Sequence, residues 1–119
     1  MITVRRRKEP APDQRRTVRL EGREIGSPVS LFLVDVEPGR GSELHSHPYT
    51  ETWIVQKGEA EFTVGEETVH GSAGDVVVGP AHVPHRFTNV GTGRLEIVAI
   101  HPSATIQQID VQGAAPRHS

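Results

Sequence analysis

Residues 39–58 read Gly39-Arg40-Gly41-Ser42-Glu43-Leu44-His45-Ser46-His47-Pro48-Tyr49-Thr50-Glu51-Thr52-Trp53-Ile54-Val55-Gln56-Lys57-Gly58. An extended strand turns alternate side chains to one face, so His45 and His47 share a face and Glu51, four residues on, keeps their parity. A second stretch has a related layout: Gly74 is followed after five residues by Pro80, then by His85 and Asn89. If the two segments lie side by side as strands, three imidazoles and one carboxylate meet at one divalent ion. This predicts a metal site inside a β-barrel.

Outward from these stretches the chain alternates turn signals with short β-rich runs, the spacing of a sandwich or barrel. Strands are predicted over Thr17–Leu20, Val29–Val36, Glu51–Gln56, Ala60–Val64, Glu67–Val69, Asp75–Val78, His85–Asn89 and Leu95–His101. Ala60, Phe62 and Val64 alternate with Glu61 and Thr63, as in a half-buried antiparallel strand. No segment sustains a 3.6-residue period. Residues 104–111 read equally as a helical turn or a last strand. The expected organisation is a basic arm or edge strand over 1–16, an all-β barrel over 17–111 and a flexible tail over 112–119.

A chain of 119 residues has room for one domain, burying roughly two-thirds of its unfolded surface. With no cysteine there is neither a disulfide framework nor a thiolate zinc site. A transition metal must then be held by His and carboxylate, which suits Zn, Mn, Fe, Ni or Cu(II). The longest apolar runs, Leu31–Val34 and Ile97–Ile100, are four residues each, too short for a membrane span. The N-terminus has no signal-peptide apolar region, so a cytoplasmic protein is expected. Eleven arginines against two lysines suit a GC-rich bacterial genome.

Charge is unevenly spread. Residues 1–24 hold eight basic and four acidic residues, +4, and the remainder five and eleven, −6, which sum to the net −2. No aromatic residues interleave the arginines of the arm, so it reads as solvated and not as a nucleic-acid surface. The run Val29–Val36 is apolar on both faces, which predicts a homodimer. No G-x-S-x-G elbow, G-x-G-x-x-G fingerprint or Walker loop is present.

The two stretches resemble the cupin superfamily. Gly39-x5-His45-x-His47-x3-Glu51-x6-Gly58 matches its first motif at every fixed position. Gly74-x5-Pro80-x-His82-x2-His85-x3-Asn89 matches the second except that His82 stands where glycine is usual. Fifteen residues separate the motifs, as in compact single-domain microbial cupins. The resemblance implies a cupin-type jelly-roll barrel with one divalent ion (Fe, Zn, Mn or Ni) in its wider mouth, held by His45, His47, Glu51 and His85. By strand parity Trp53 and Val55 continue the face of Glu51, Phe87 that of His85, and His101 that of Ile97 and Ala99. These four would wall a pocket for a small organic ligand. Tyr49 and His82 are the candidate proton donors, each with a plainer alternative, Tyr49 as a wall of the mouth and His82 as an exposed loop residue. Arg86 and Arg94 either bind a substrate carboxylate or point outward.

Three neutral imidazoles and a carboxylate leave a divalent ion near +1, with two positions open if it is octahedral. Such a site suits a metal-dependent enzyme acting on a small oxygenated organic molecule, as a dioxygenase or as an isomerase or cyclase. The alternative is a non-catalytic ligand-binding module with a structural or ligand-capturing metal. A transcriptional sensor would need a DNA-binding domain that this sequence does not show. Cupins host many unrelated activities, so the resemblance speaks to fold and metal site more than to reaction.

Overall fold

Leu95, Ile97, Ala99 and His101 are buried while Glu96, Val98 and Ile100 between them are partly exposed. Such alternation gives a sheet one apolar face that must be covered by a second sheet. A computed structural model describes residues 1–11 and 15–111, and in it two five-stranded antiparallel sheets face each other. In chain order the strands are β1 (Val18–Leu20), β2 (Ser30–Val36), β3 (His45–Ser46), β4 (Glu51–Lys57), β5 (Glu59–Val64), β6 (Glu67–Ser72), β7 (Val76–Gly79), β8 (His85–Asn89), β9 (Leu95–His101) and β10 (Ile109–Asp110). One sheet runs β1-β2-β9-β4-β7 and the other β10-β3-β8-β5-β6. This is the all-β jelly-roll architecture expected from the sequence.

The eight predicted strands are all present, with ends shifted by up to three residues. Two further strands, β3 and β10, are two residues each, too short to show periodicity. β10 pairs with β3, so the segment read as either turn or strand ends as a strand. Residues 1–9 are exposed and form no strand. The predicted tail, 112–119, lies outside the described residues. Among the described residues no helix is long and apolar enough to cross a membrane.

The register stacks the interior in layers. Across the first sheet Val36 lies opposite Leu95, Val34 opposite Ile97, Phe32 opposite Ala99 and Ser30 opposite His101. Ala99 in turn faces Trp53 and Ile97 faces Val55. Across the second, Phe62 is opposite Phe87 and Ala60 opposite Asn89. Trp53, Phe62 and Phe87 form tilted ring pairs in the middle layer, with Trp53–Phe62 centroids 5.2 Å apart. Aliphatic side chains fill one end, leaving the other end to histidines.

The closed end is fastened by Asn89. Its Nδ2 donates to the carbonyls of Val36 (3.1 Å) and Gly93 (2.9 Å), and its Oδ1 accepts from the Gly91 amide (2.9 Å). Its own backbone amide donates to Arg40 (2.7 Å), and its carbonyl accepts from Gly39 (2.9 Å). One buried amide therefore ties the Gly39 turn to the loop between β8 and β9. The nearby Gly58 sits at φ 89°, where a Cβ would lie 2.6 Å from the Arg94 carbonyl.

The outer face of the first sheet is unusually apolar. Val18, Leu33, Val98, Ile54 and Val76 form one row across five strands, and Leu20, Leu31, Ile100, Thr52 and Val78 the next. Leu33, Val76 and Val78 are 42 %, 59 % and 51 % exposed. Towards one end of the rows, Lys57 pairs with Glu96 and Arg94 with Asp35.

Removing the Asn89 side chain strands buried backbone groups, each costing about 1–3 kcal/mol. Asn89→Ala is therefore expected to lower unfolding free energy by about 2–4 kcal/mol in urea titrations, and Asn89→Asp, which sets a buried carboxylate oxygen against the Val36 and Gly93 carbonyls, should lose at least as much.

Candidate metal centre

Each ligand reaches the open end of the barrel from its own element. His45 on β3 lies directly opposite His85 on β8, and their rings meet edge to face with centroids 4.7 Å apart. His47 follows the end of β3. Glu51 is the first residue of β4, which belongs to the opposite sheet. The parity argument for His45, His47 and Glu51 on one continuous strand is thus corrected: Pro48 interrupts the chain, and the residues between His47 and Glu51 carry it from one sheet to the other. The ligands still converge, from two sheets instead of one. The side-chain donor atoms of His45, His47, Glu51 and His85, all four buried, lie within 4.8 Å of one another.

Backbone carbonyls set two of the rings. His45 Nδ1 donates to the Glu43 carbonyl (2.5 Å) and His47 Nδ1 to the Gln107 carbonyl (2.6 Å). With the hydrogen on Nδ1, each Nε2 presents a lone pair to the site. His85 is held by packing, with Trp53 edge-on to it at 4.8 Å. Gly79 makes that possible, since a Cβ there would come within 2.5 Å of the Trp53 ring and 3.2 Å of His85 Nδ1.

Five buried side-chain atoms among the described residues make no hydrogen bond, namely His47 Nε2, Glu51 Oε1, both ring nitrogens of His85 and His101 Nε2, although His47 Nε2 and His85 Nε2 lie 3.0 Å from Glu51 Oε1. Two ring nitrogens in contact with one carboxylate oxygen, yet not aligned to donate to it, are oriented as ligands around a shared cation. Buried polar atoms are otherwise almost always paired, so the residues fit a divalent ion. Burial and the neighbouring His85 pull the His45 imidazole down to about 4, leaving it neutral at pH 7. Burial also depresses His47, but the adjacent Glu51 carboxylate and the hydrogen bond to the Gln107 carbonyl outweigh it and raise the ring above its usual value. Burial opposes ionisation of Glu51, but the contacts from His101, His47 and His85 prevail and hold its carboxyl far below the carboxylate range.

His45, Glu51 and His85 open into a cavity of about 270 Å3 lined by Phe32, Val34, Trp53, Phe87 and Ala99 on its apolar side and by Arg15, Glu43, His101 and Gln108 among its polar groups. Of the predicted pocket residues, Trp53, Phe87 and His101 line it. Val55 lies in the core and not among the lining residues, one layer further from the ligands. Tyr49 stacks on His47, rings 3° from parallel, and its hydroxyl meets His101 Nδ1 at 2.6 Å. Burial raises the Tyr49 phenol above its ordinary value. His82 is exposed and does not line the cavity. It stands at φ 66° and donates its backbone amide to the His47 carbonyl, so position 82 serves the turn that glycine usually makes. Arg94 is engaged by Asp35, and neither it nor Arg86 lines the cavity.

Two contributors escaped the sequence reading. Arg15, from the basic arm, reaches the cavity mouth. The segment after β9 crosses the site as a strap: Gln107 supplies the carbonyl to His47 and an amide to Tyr49 (3.3 Å), while the Ile106 amide donates to Glu21 Oε2 (2.8 Å). Main-chain donors and acceptors leave no residue-type signal.

A family model describing a Cupin domain matches residues 32–101. The chain belongs to the cupin family. Among sequence relatives it is similar to the xanthan biosynthesis protein XanB of Xanthomonas campestris pv. campestris, 29% identical over 74% of this chain and 19% of that protein. It is 34% identical to the oxalate decarboxylase OxdC of Bacillus subtilis over 65% of this chain and 22% of that one. The chain therefore spans about a fifth of either relative. A solved structure of a mutant form of Bacillus subtilis OxdC superimposes with a TM-score of 0.75 at 26% identity, covering 87% of this chain and 30% of that chain.

His85→Ala should weaken binding of a divalent ion roughly a hundredfold or more, measured by calorimetric titration, whereas His82→Ala should leave it unchanged. Equal losses from both would mean that the ligands are misassigned.

Proposed function

We propose that this cupin is a metal-dependent enzyme acting on a small oxygenated organic molecule. The observation that carries the reading is the opening of the ligand cluster into a walled cavity. A purely structural metal site is closed by its ligands, whereas a reactive one keeps a face free. His45, His47, Glu51 and His85 would hold the ion, which when bound supplies Lewis acidity or, as iron, access to O2 chemistry. Phe32, Trp53 and Phe87 exclude water from one side of a bound ligand. Arg15, the one Lys or Arg among the described lining residues, suits a carboxylate or other anionic oxygen at the mouth. Dioxygenase and isomerase or cyclase chemistry both fit a chelating substrate. The similarity to an oxalate decarboxylase adds small dicarboxylates to the compounds worth testing.

A second reading, a ligand-binding cupin without turnover, is favoured by one observation. Neither proton donor expected from the sequence lines the cavity, since His82 is at the surface and Tyr49 stands against the far side of His47.

Metal analysis by mass spectrometry on protein purified without a tag or chelator is expected to find near one equivalent of a divalent ion. Turnover is then sought with catechols, diketones and oxalate, by O2 uptake and product analysis. Metal removal should abolish turnover under the first reading and only lower Tm or ligand affinity under the second. If no divalent ion binds or shifts Tm, both readings fail.

The proposal includes a homodimer built on the outer face of the first sheet. Two copies of one flat aliphatic face can cover each other about a twofold axis, with the ion pairs beside it as a polar rim. Leu33→Asp and Val76→Asp should each give a monomer in light scattering with unchanged far-UV circular dichroism. A wild-type protein that is already monomeric would refute the dimer.

A further inference from the structure

His101 is 1 % exposed, yet it lies outside the group of four whose donor atoms converge. Its Nε2 lies 3.1 Å from Glu51 Oε2, the carboxylate oxygen that does not face His47 and His85. Its other nitrogen, Nδ1, meets the Tyr49 hydroxyl at 2.6 Å. The Tyr49 oxygen also accepts the Gln107 amide at 3.3 Å.

Donor and acceptor accounting and the charge on Glu51 together set the direction of this chain. The Gln107 amide can only donate, so it occupies one lone pair of the phenol oxygen. A second lone pair remains on that oxygen, so it is the charge on Glu51 that assigns the phenol hydrogen to His101 Nδ1. That leaves the ring hydrogen on Nε2, 3.1 Å from an ionised carboxylate oxygen. The opposite tautomer would set a nitrogen lone pair against a negative charge in a buried site, a repulsion with nothing to offset it. The Nε2–Oε2 approach is off the ideal hydrogen-bond line, since Nε2 has no partner of ordinary geometry, but the contact distance and opposite charges remain.

We propose that His101, oriented by Tyr49, is a positioning residue that occupies Glu51 Oε2 and so presents Glu51 to the metal through Oε1 alone. The proposal rests on the metal-centre reading above. Its consequence is a count of ligand atoms: a carboxylate free to swing can chelate an ion with both oxygens and take up a position that a substrate needs, while a carboxylate held at Oε2 cannot. Tyr49 acts at one further remove, orienting His101 through its hydroxyl and stacking on His47.

The test uses Mn(II) as the probe, with affinity read by chelator competition and coordination by electron paramagnetic resonance. Electron spin-echo modulation of the wild-type protein is expected to count three coordinated imidazoles. His101→Ala should lower Mn(II) affinity ten- to a hundredfold, the usual range for a lost partner of a metal ligand, and change the zero-field splitting as Glu51 becomes bidentate. His101→Gln, whose amide can still donate to Oε2, should restore affinity to within about threefold of wild type and recover the splitting. Tyr49→Phe should shift the splitting in the same direction as His101→Ala, by less. Four imidazoles in the wild type would make His101 a ligand and overturn the proposal. So would unchanged affinity and splitting in His101→Ala, or a His101→Gln variant no better than alanine. A wild-type protein that binds no Mn(II) would overturn the metal-centre reading for that ion and this proposal with it.

Discussion

Glu51 places an ionised carboxylate, 4 % exposed, between two apolar sheets. An isolated charge there would be prohibitively unfavourable, so it must be surrounded by positive or donating groups. Three imidazoles, those of His47, His85 and His101, stand at 3.0–3.1 Å from its two oxygens. Each belongs to a different segment, so a cation held between Glu51, His47 and His85, with His101 at the second oxygen, would tie the β3–β4 connection, β8 and β9 together. The aromatic layer of Trp53, Phe62 and Phe87 beneath the cluster completes that arrangement by keeping the polar end from collapsing into the core.

The barrel divides its labours along its axis. At the closed end, Asn89 satisfies backbone groups of the turns, so that end gains rigidity from hydrogen bonds that do no chemistry. At the open end, polar atoms are left without ordinary partners and face a cavity. Both ends draw on the same two motif stretches. A motif of this kind therefore mixes residues that bind with residues that merely hold the turns, and Gly39, Gly58, Gly74 and Asn89 belong to the second class.

The strands and the convergence of the four candidate ligands were legible because alternation and donor chemistry are properties of residue type. The long strands β2, β4 and β9 announced themselves by period, and His101 was placed inside the barrel by its parity with Ile97 and Ala99. The route by which His45, His47 and Glu51 meet was not legible. Parity cannot register a chain that leaves one sheet and enters another at Pro48. β3 and β10 were invisible because two residues carry no period. The left-handed backbone at His82 was foreshadowed by the glycine that family members place there, and the same conformation sends its side chain to solvent. Arg15 could not be assigned, since a run of arginines in a polar arm gives no sign of which one turns back over the barrel.

The strap over the site acts largely through main-chain atoms. The acceptors that orient His45 and His47 are the carbonyls of Glu43 and Gln107, which any side chain at those positions would supply. Glu43 itself, with Gln108 next to the second acceptor, lines the cavity. Selection can therefore rewrite the rim of the pocket at positions 43 and 108 without disturbing ring orientation. Ligand preference and metal retention become separately adjustable traits, which is how one small barrel can diverge in what it accepts while keeping what it holds.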